Sequence, residues 1–425
     1  MQILLKGGVL ITEDHRPKVK DLLIDGNVIS QISDKINTEA EYIIDCRDSI
    51  VSPGFVNMHT HVAMTNMRSL FDDLPFKEFL DKSFKIDSER SPEEIYYGSK
   101  LGIAEMLSRG ITTFVDMYYG EDMVAKASEE MGIRAFLGWS VVNRNLTTQK
   151  GDPLKNAESF IREHLGKGIV TPFPAPHGIY SCDREDLIAS KEIADRYNVP
   201  YSIHVSETRK EVYDLVKKEK KRPVEYLQDI GFLGKRLIAA HALYLTLNEI
   251  KILGRNEVTV VNNPVSNMKL GNGNFMPIIE MVQNGVNVTI GTDSATTGNS
   301  LDMLENAKLS SLIQKNYREQ AEVLPPSQII DFLTKNPWKV LGNGGVLREG
   351  GVADVTVIRG GIGYAPFDPN YAESILLYSS NGRDVKQTIV NGNLLYSDGK
   401  FVRADIEEIL EENRIIFERY KELIN

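Results

Sequence analysis

The sequence predicts an α/β protein: a (β/α)8 TIM-type barrel with a small β-sandwich domain built from both chain ends. Three observations predict it. Short apolar runs alternate with amphipathic stretches through the middle of the chain, which is the pattern of parallel βα units. Both ends instead carry strand-like runs broken by glycine turns. At 425 residues the chain exceeds one small module, at roughly 150 residues per domain, but it has room for a barrel of about 250 with additions.

The elements follow in order. Ile3-Leu4-Leu5, Val9-Leu10-Ile11, Asp21-Leu22-Leu23-Ile24 and Val28-Ile29 are apolar runs punctuated by Gly7-Gly8 and Asp25-Gly26-Asn27. They assign residues 1–52 to the N-terminal part of the sandwich. Residues 53–345 make the barrel, with candidate strands Gly54–His61, Thr112–Met117, Arg134–Ser140, Val170–His177, Tyr201–Glu207, Leu237–His241, Val258–Asn263 and Val288–Asp293. Helical stretches lie between them, including Pro92–Ser108, Asp183–Tyr197, Arg209–Gln228 and Leu301–Lys315. Val352–Ile358 and Thr388–Tyr396, the latter carrying an Asn391-Gly392 turn, return residues 346–402 to the sandwich. Residues 403–425 form a C-terminal helix, apolar at helical spacing from Ile406 to Leu423. A doubly wound open sheet would carry Gly-x-Gly-x-x-Gly after an early strand; Gly271-Asn272-Gly273 lacks the third glycine.

Composition excludes several classes. No run approaches 18 consecutive apolar residues, so no spanning helix is expected and no membrane partner. The start, Met1 to Gly8, lacks a basic region and an apolar core, so a cytoplasmic location is expected. Net charge is −10, a poor balance for holding a phosphate backbone, and no nucleic-acid partner is expected. The basic run Lys217–Arg222 reads as a solvated helix end. Two cysteines, Cys46 and Cys182, are too few for a disulfide scaffold or a four-thiolate zinc site.

Histidine placement points to the chemistry. Of seven histidines, His59, His61, His177, His204 and His241 sit at C-terminal ends of candidate strands, and Asp293 ends the eighth strand alike. All strand C-termini of a (β/α)8 barrel face one mouth, so these residues converge. His15 and His164 fall in a turn and on a polar helix and receive no role. In His59-Thr60-His61 the i, i+2 spacing turns both imidazoles to one side of a strand, where they can share a metal. With His204, His241 and Asp293 nearby, the donor set suits one divalent cation, Zn2+ first, with Fe2+ or another first-row ion as alternatives. A second metal would need a bridging lysine on the fourth strand, and Val170–His177 has none. Glu207, three residues after His204, is placed to shuttle a proton beside the metal. Gly-x-Ser-x-Gly, Walker, His-Glu-x-x-His and Pro-Cys-x-x-Cys motifs are absent.

Over nearly its whole length the sequence resembles the metal-dependent amidohydrolase superfamily, in the branch of 5′-methylthioadenosine/S-adenosylhomocysteine deaminases and related triazine chlorohydrolases. The segments that carry the resemblance are Pro53–His61, Asp72-Asp73-Leu74-Pro75-Phe76, Ala175-Pro176-His177, Ile203–Thr208, Ala239-Ala240-His241, Asn263–Leu270 and Gly291-Thr292-Asp293. Arg222–Leu227, Asn299–Met303 and Ala353-Asp354 also match. The resemblance implies His59, His61, His204 and Asp293 as metal ligands, Glu207 as the shuttle to a ring nitrogen, and His241 as the group that orients the attacking hydroxide or the tetrahedral intermediate. His177 would contact the sugar of a nucleoside. Strand position alone leaves His241 open as a further ligand.

The implied activity is hydrolytic deamination of a 5′-substituted adenosine, such as 5′-methylthioadenosine, 5′-deoxyadenosine, adenosine or S-adenosylhomocysteine. The alternative is a deaminase of a free base such as guanine, or a triazine-type hydrolase. Two departures bear on substrate. The Trp-Pro pair and ribose-binding glutamate of the family are replaced by Ser83–Glu89, where Asp87 or Glu89 can substitute. Around the third strand, where the family holds an amino-acid carboxylate with arginines, the chain has Trp139, with Arg144 the nearest remaining arginine. This favours a neutral 5′ group. The expected partners are a small-molecule substrate, an adenine nucleoside, and other copies of the chain in a homo-oligomer.

Overall fold

Short aliphatic runs give the N-terminal end β1 (Gln2–Leu10), β2 (Lys18–Asp25), β3 (Val28–Ser33), β4 (Tyr42–Asp45) and β5 (Ile50–Pro53). The middle contributes β6 (Phe55–Thr60), β7 (Ile111–Tyr118), β8 (Arg134–Val141), β9 (Val170–Pro176), β10 (Tyr201–Val205), β11 (Leu237–His241), β12 (Thr259–Asn262) and β13 (Asn287–Ile290). The C-terminal part adds β14 (Val355–Ile358), β15 (Val385–Val390), β16 (Asn393–Ser397) and β17 (Lys400–Phe401). This computed structural model describes residues 1–424, the side chain of Phe76 excepted.

The middle strands form two four-stranded parallel sheets, β6-β7-β8-β9 and β10-β11-β12-β13. They are buried on both faces, as expected where helices cover a parallel sheet. Hydrogen bonds join the two sheets at both seams. The His204 amide donates to the His177 carbonyl at 3.0 Å, and the Asp293 amide donates to the His59 carbonyl at 2.9 Å. Residues of the predicted site thus also link the sheets.

Strands from both chain ends build one nine-stranded sheet in the order β17-β16-β15-β14-β5-β1-β2-β3, with β4 paired to β1. Here the sequence reading needs correction. Ile3–Leu5 and Val9–Ile11 are not two elements: one strand runs through Gly7-Gly8 as a bulge, with the register to β2 shifting between Leu5 and Gly8. Gly7 takes φ +68°, open to glycine, and a side chain on Gly8 would meet Val51 Cγ2 at 2.5 Å. The stretch Arg209–Gln228 is likewise two helices, Arg209–Glu219 and Pro223–Asp229. Lys220 turns left-handed at φ 59°, and Pro223 has no N–H to continue the first helix. Arg222 from the basic run is structural, donating through Nε to Glu249 at 2.6 Å. Cys46 and Cys182 are buried and unpaired. None of the described helices is long and apolar enough to cross a membrane.

The C-terminal helix Ile406–Ile424 packs through Ile409, Ile416 and Tyr420, and Arg90 pins it. The Arg90 side chain is fully buried; it donates to the Tyr420 hydroxyl at 2.9 Å, the Tyr118 hydroxyl at 2.7 Å and the Ala63 carbonyl at 2.7 Å, and lies 3.9 Å from Asp87. Removing one side of a buried charge cluster strands the other, at a cost of about 3–5 kcal/mol. Arg90→Ala is therefore expected to lose that much stability in urea titration, and an unchanged midpoint would contradict this role.

Candidate active site

The ends of β6, β10 and β11 and the turns after β9 and β13 bring their side chains together. His59 and His61 leave β6 two residues apart, and His61 Nε2 lies 3.3 Å from Asp293 Oδ1. His59 Nε2 lies 3.6 Å from the same oxygen and 3.2 Å from His204 Nε2. Nitrogen and oxygen ligands at about 2.1 Å around a tetrahedral zinc would be about 3.4 Å apart, so these three separations suit neighbouring ligands of one cation; the donors fall into two groups within ligand reach, His59-His61-His204 and His59-His241-Asp293. The ring orientations agree. His61 Nδ1 bonds the Met117 carbonyl at 2.5 Å and His204 Nδ1 bonds the His177 carbonyl at 2.7 Å. A carbonyl accepts only, so both Nδ1 atoms carry protons and both Nε2 atoms face inward. The donor set therefore fits a zinc-type ion.

Electrostatics point the same way. Burial and the neighbouring histidines hold His59 and His204 well below the usual imidazole range. Burial also lowers His61, but the hydrogen bond and charge of Asp293, with Asp116, outweigh it and raise His61 to about 9. Burial raises Asp293, yet His61 and the other histidines hold it well below the carboxylate range. In the metal-free protein a proton thus sits where a cation would. The backbone is bent to make this cluster. His241, Ala242, Asp293 and Ser206 have φ of 73°, 50°, 61° and 52°, sparsely populated values for non-glycine residues that store strain at functional sites. Gly291 permits the approach of β13, since a Cβ there would lie 2.8 Å from the His59 amide nitrogen.

Glu207 and His241 face each other beside this cluster, and His241 also groups with His59 and Asp293 within ligand reach. Glu207 Oε1 accepts from Asn272 Nδ2 at 3.1 Å, and Oε2 lies 4.0 Å from His241 Nε2. Glu207 does not cap the following helix. That helix is capped by Thr208, and Glu211 takes the Ser206 and Glu207 amides at 2.8 Å each. Proline at the first position of the short helix Pro264–Lys269 sets up one turn that serves the site. Asn267 Oδ1 bonds His241 Nδ1 at 2.9 Å, and the Ser266 hydroxyl donates to Asp293 Oδ2 at 2.5 Å. Asp293 is not the cap of the stretch after it either; Ser294 caps residues 295–298.

A model of the amidohydrolase family matches residues 50–395. The chain belongs to the amidohydrolase family. This amidohydrolase is 38% identical over 416 residues to the 5-methylthioadenosine/S-adenosylhomocysteine deaminase of Pyrococcus furiosus, covering 96% of this chain and 99% of the relative. It is 35% identical over 419 residues to the 5′-deoxyadenosine deaminase of Methanothrix thermoacetophila, covering 98% and 99%. Among solved structures, an adenosine deaminase from Xanthomonas campestris with bound zinc superposes with a TM-score of 0.93 at 25% identity, covering 99% of this chain and 98% of that one.

The cavity of this amidohydrolase is lined by His61, His177, His204, Glu207, His241 and Asp293, and by Asp87. His177 is half-buried beside His204, and desolvation with the surrounding histidines lowers it to about 4, so it is neutral near pH 7. Asp87 ends the helix Phe76–Asp87, bonded by the Tyr118 hydroxyl, and burial raises it above the usual carboxylate value. The other three predicted substrate contacts do not line the cavity. Glu89 is exposed, with its carbonyl taken by Arg419 at 3.0 Å. Arg144 is exposed and paired with Asp152. Trp139 is buried against Phe160, its Nε1 donating to Gln149 at 2.9 Å. Sequence reasoning missed Tyr118, Tyr119, Gln149 and Tyr180, which do line the cavity. The positions of Tyr118 and Tyr119, directly beyond the second candidate strand, could have flagged them. Leu146–Gln149 and Tyr180 sit in loops without a periodic signal.

Proposed function

We propose that the chain is a metal-dependent hydrolytic deaminase of an adenine nucleoside with a neutral 5′ substituent, yielding ammonia and the inosine analogue. The observation that carries this is one cavity holding four imidazoles, Asp293 and Glu207, in a chain whose relatives are named adenosine-type deaminases. In this reading the middle region, residues 53–345, is a closed (β/α)8 barrel. Residues 1–52 and 346–402 make the sandwich, and 403–425 the outer helix.

His59, His61, His204 and Asp293 would hold one divalent ion, with zinc the first choice. When bound, such an ion acidifies water and stabilises developing oxygen charge. Asp293, ionised and steadied by Ser266, accepts the proton of the attacking water. Glu207 delivers a proton to ring nitrogen N1, making C6 electrophilic, and Asn272 fixes the carboxyl for that transfer. His241, its Nδ1 held by Asn267, turns Nε2 toward the oxygen that adds at C6. The C–N bond to the amine then breaks as nitrogen is protonated, and ammonia leaves. His177 and Asp87 are placed for the sugar, Asp87 taking ribose hydroxyls.

The lining gives the 5′ preference its support. Among the described residues around the cavity there is no lysine or arginine, while Phe79, Leu80, Tyr118, Tyr119, Leu146 and Tyr180 supply apolar surface. An amino-acid carboxylate would lose a charged hydrogen bond, about 1.5–3 kcal/mol or tenfold or more in affinity. We expect kcat/KM for 5′-methylthioadenosine or 5′-deoxyadenosine to exceed that for S-adenosylhomocysteine by at least about tenfold. Ammonia release from a panel of adenosines differing at the 5′ carbon, with guanine and a triazine included, tests this. Turnover of guanine alone would refute the nucleoside reading.

A further inference from the structure

We infer that Asp116 and Glu121, neither of which lines the cavity, are positioning residues that aim His61 by locking the backbone on both sides of its ring; this rests on the reading of His61 as a metal ligand. The need arises in the β6–β7 pairing. Its register is irregular between Asn57 and Thr60, so the ladder alone does not fix the chain where His59-Thr60-His61 leaves the sheet. Asp116 Oδ1 accepts from the Val62 amide at 2.7 Å, holding the residue directly after His61. The next residue, Met117, offers the carbonyl that His61 Nδ1 bonds. Glu121 Oε1 then accepts from the Tyr118 amide at 3.0 Å, fixing the far side of that carbonyl.

Three consecutive residues of β7 therefore clamp one imidazole: the side chain of the first, the carbonyl of the second and the amide of the third. The two carboxyls are 1% and 0% exposed. Neither makes an ion pair with lysine or arginine among the described residues, and Asp116 Oδ2 and Glu121 Oε2 have no hydrogen-bond partner. Buried carboxyls without a counter-cation are costly for a fold to retain, which a role confined to packing would not explain.

The test is zinc affinity of the full chain by chelator competition. Asp116→Ala and Glu121→Ala are each expected to weaken zinc binding about tenfold to a hundredfold, with the KM for nucleoside unmoved and turnover recovered at saturating zinc. Asp116→Asn and Glu121→Gln keep an oxygen acceptor and are expected within about threefold of the wild type. In a His61→Ala background, Asp116→Ala should add no further loss, because its effect passes through that ring. Wild-type affinity in Asp116→Ala, additive losses with His61→Ala, or an Asp116→Asn variant as impaired as His61→Ala would each overturn the inference. If Asp116→Ala fails to fold, the asparagine variant and its double mutant decide. A His61→Ala chain that binds zinc as the wild type does would instead refute the ligand reading and the positioning role with it.

Discussion

Glu207→Gln is expected to lower kcat by about a thousandfold or more while leaving zinc content intact. Proton transfer by a placed side chain contributes about 10²–10⁴ in rate, and the amide can accept a hydrogen bond but has no proton to deliver to N1. The structure makes this substitution clean. Glu207 Oε1 is held by Asn272 Nδ2, and the main chain is anchored separately through Glu211, so the glutamine keeps its backbone and loses only the acid. His59, His61, His204 and Asp293 do not hydrogen-bond Glu207, and metal binding should therefore survive. Stopped-flow deamination with parallel metal analysis is the measurement. Near-normal turnover with full zinc would falsify the shuttle role, and loss of zinc would show that the carboxyl belongs to the metal shell instead.

The strand-end histidines were legible because two simple rules apply to them. Parallel βα units send strand C-termini to one face, and an i, i+2 pair on a strand shares a side; His59, His61, His204, His241 and Asp293 need nothing more to be brought together. The eight buried strands were legible as apolar runs, but not all their ends: β10 stops at Val205 rather than Glu207 and β13 at Ile290 rather than Asp293. The rim was not legible. Arg144 and Trp139 lie close in sequence to the end of β8, but one turns out to Asp152 and the other turns in against Phe160, choices made by local packing that no period encodes. Asp87 and Glu89 differ by two residues on a helix end, so only one can face the cavity, and which one depends on Tyr118 and Arg90 from other elements. Gly7-Gly8 looked like a turn because a glycine bulge and a glycine turn share a local sequence; the pairing to β2 and β5 separates them.

Asp293→Asn is expected to abolish most activity by a second route, losing the base and weakening the metal site together. The carboxylate sits between His59 and His61 at 3.6 and 3.3 Å, with its other oxygen taken by Ser266 at 2.5 Å. Removing its charge leaves three neutral imidazoles to hold a dication, and losing such a partner should cost at least about tenfold in zinc affinity. Loss of the proton acceptor adds about 10²–10⁴ in rate, so kcat/KM should fall at least about a thousandfold even at saturating zinc. The metal-free protein carries an independent signature. Because Asp293 raises His61 to about 9 from an ordinary 6.5, the pair stabilises the fold fully below about pH 6.5 and loses that contribution as pH rises through about 9. Chelator-treated wild type should therefore soften in thermal melts between those limits, and chelator-treated Asp293→Asn, left with only Asp116 and the Met117 carbonyl to hold the proton, should soften less. Equal pH dependence in both would mean that the carboxylate and His61 are not electrostatically linked, and the account of Asp293 as the charged centre of the site would fail.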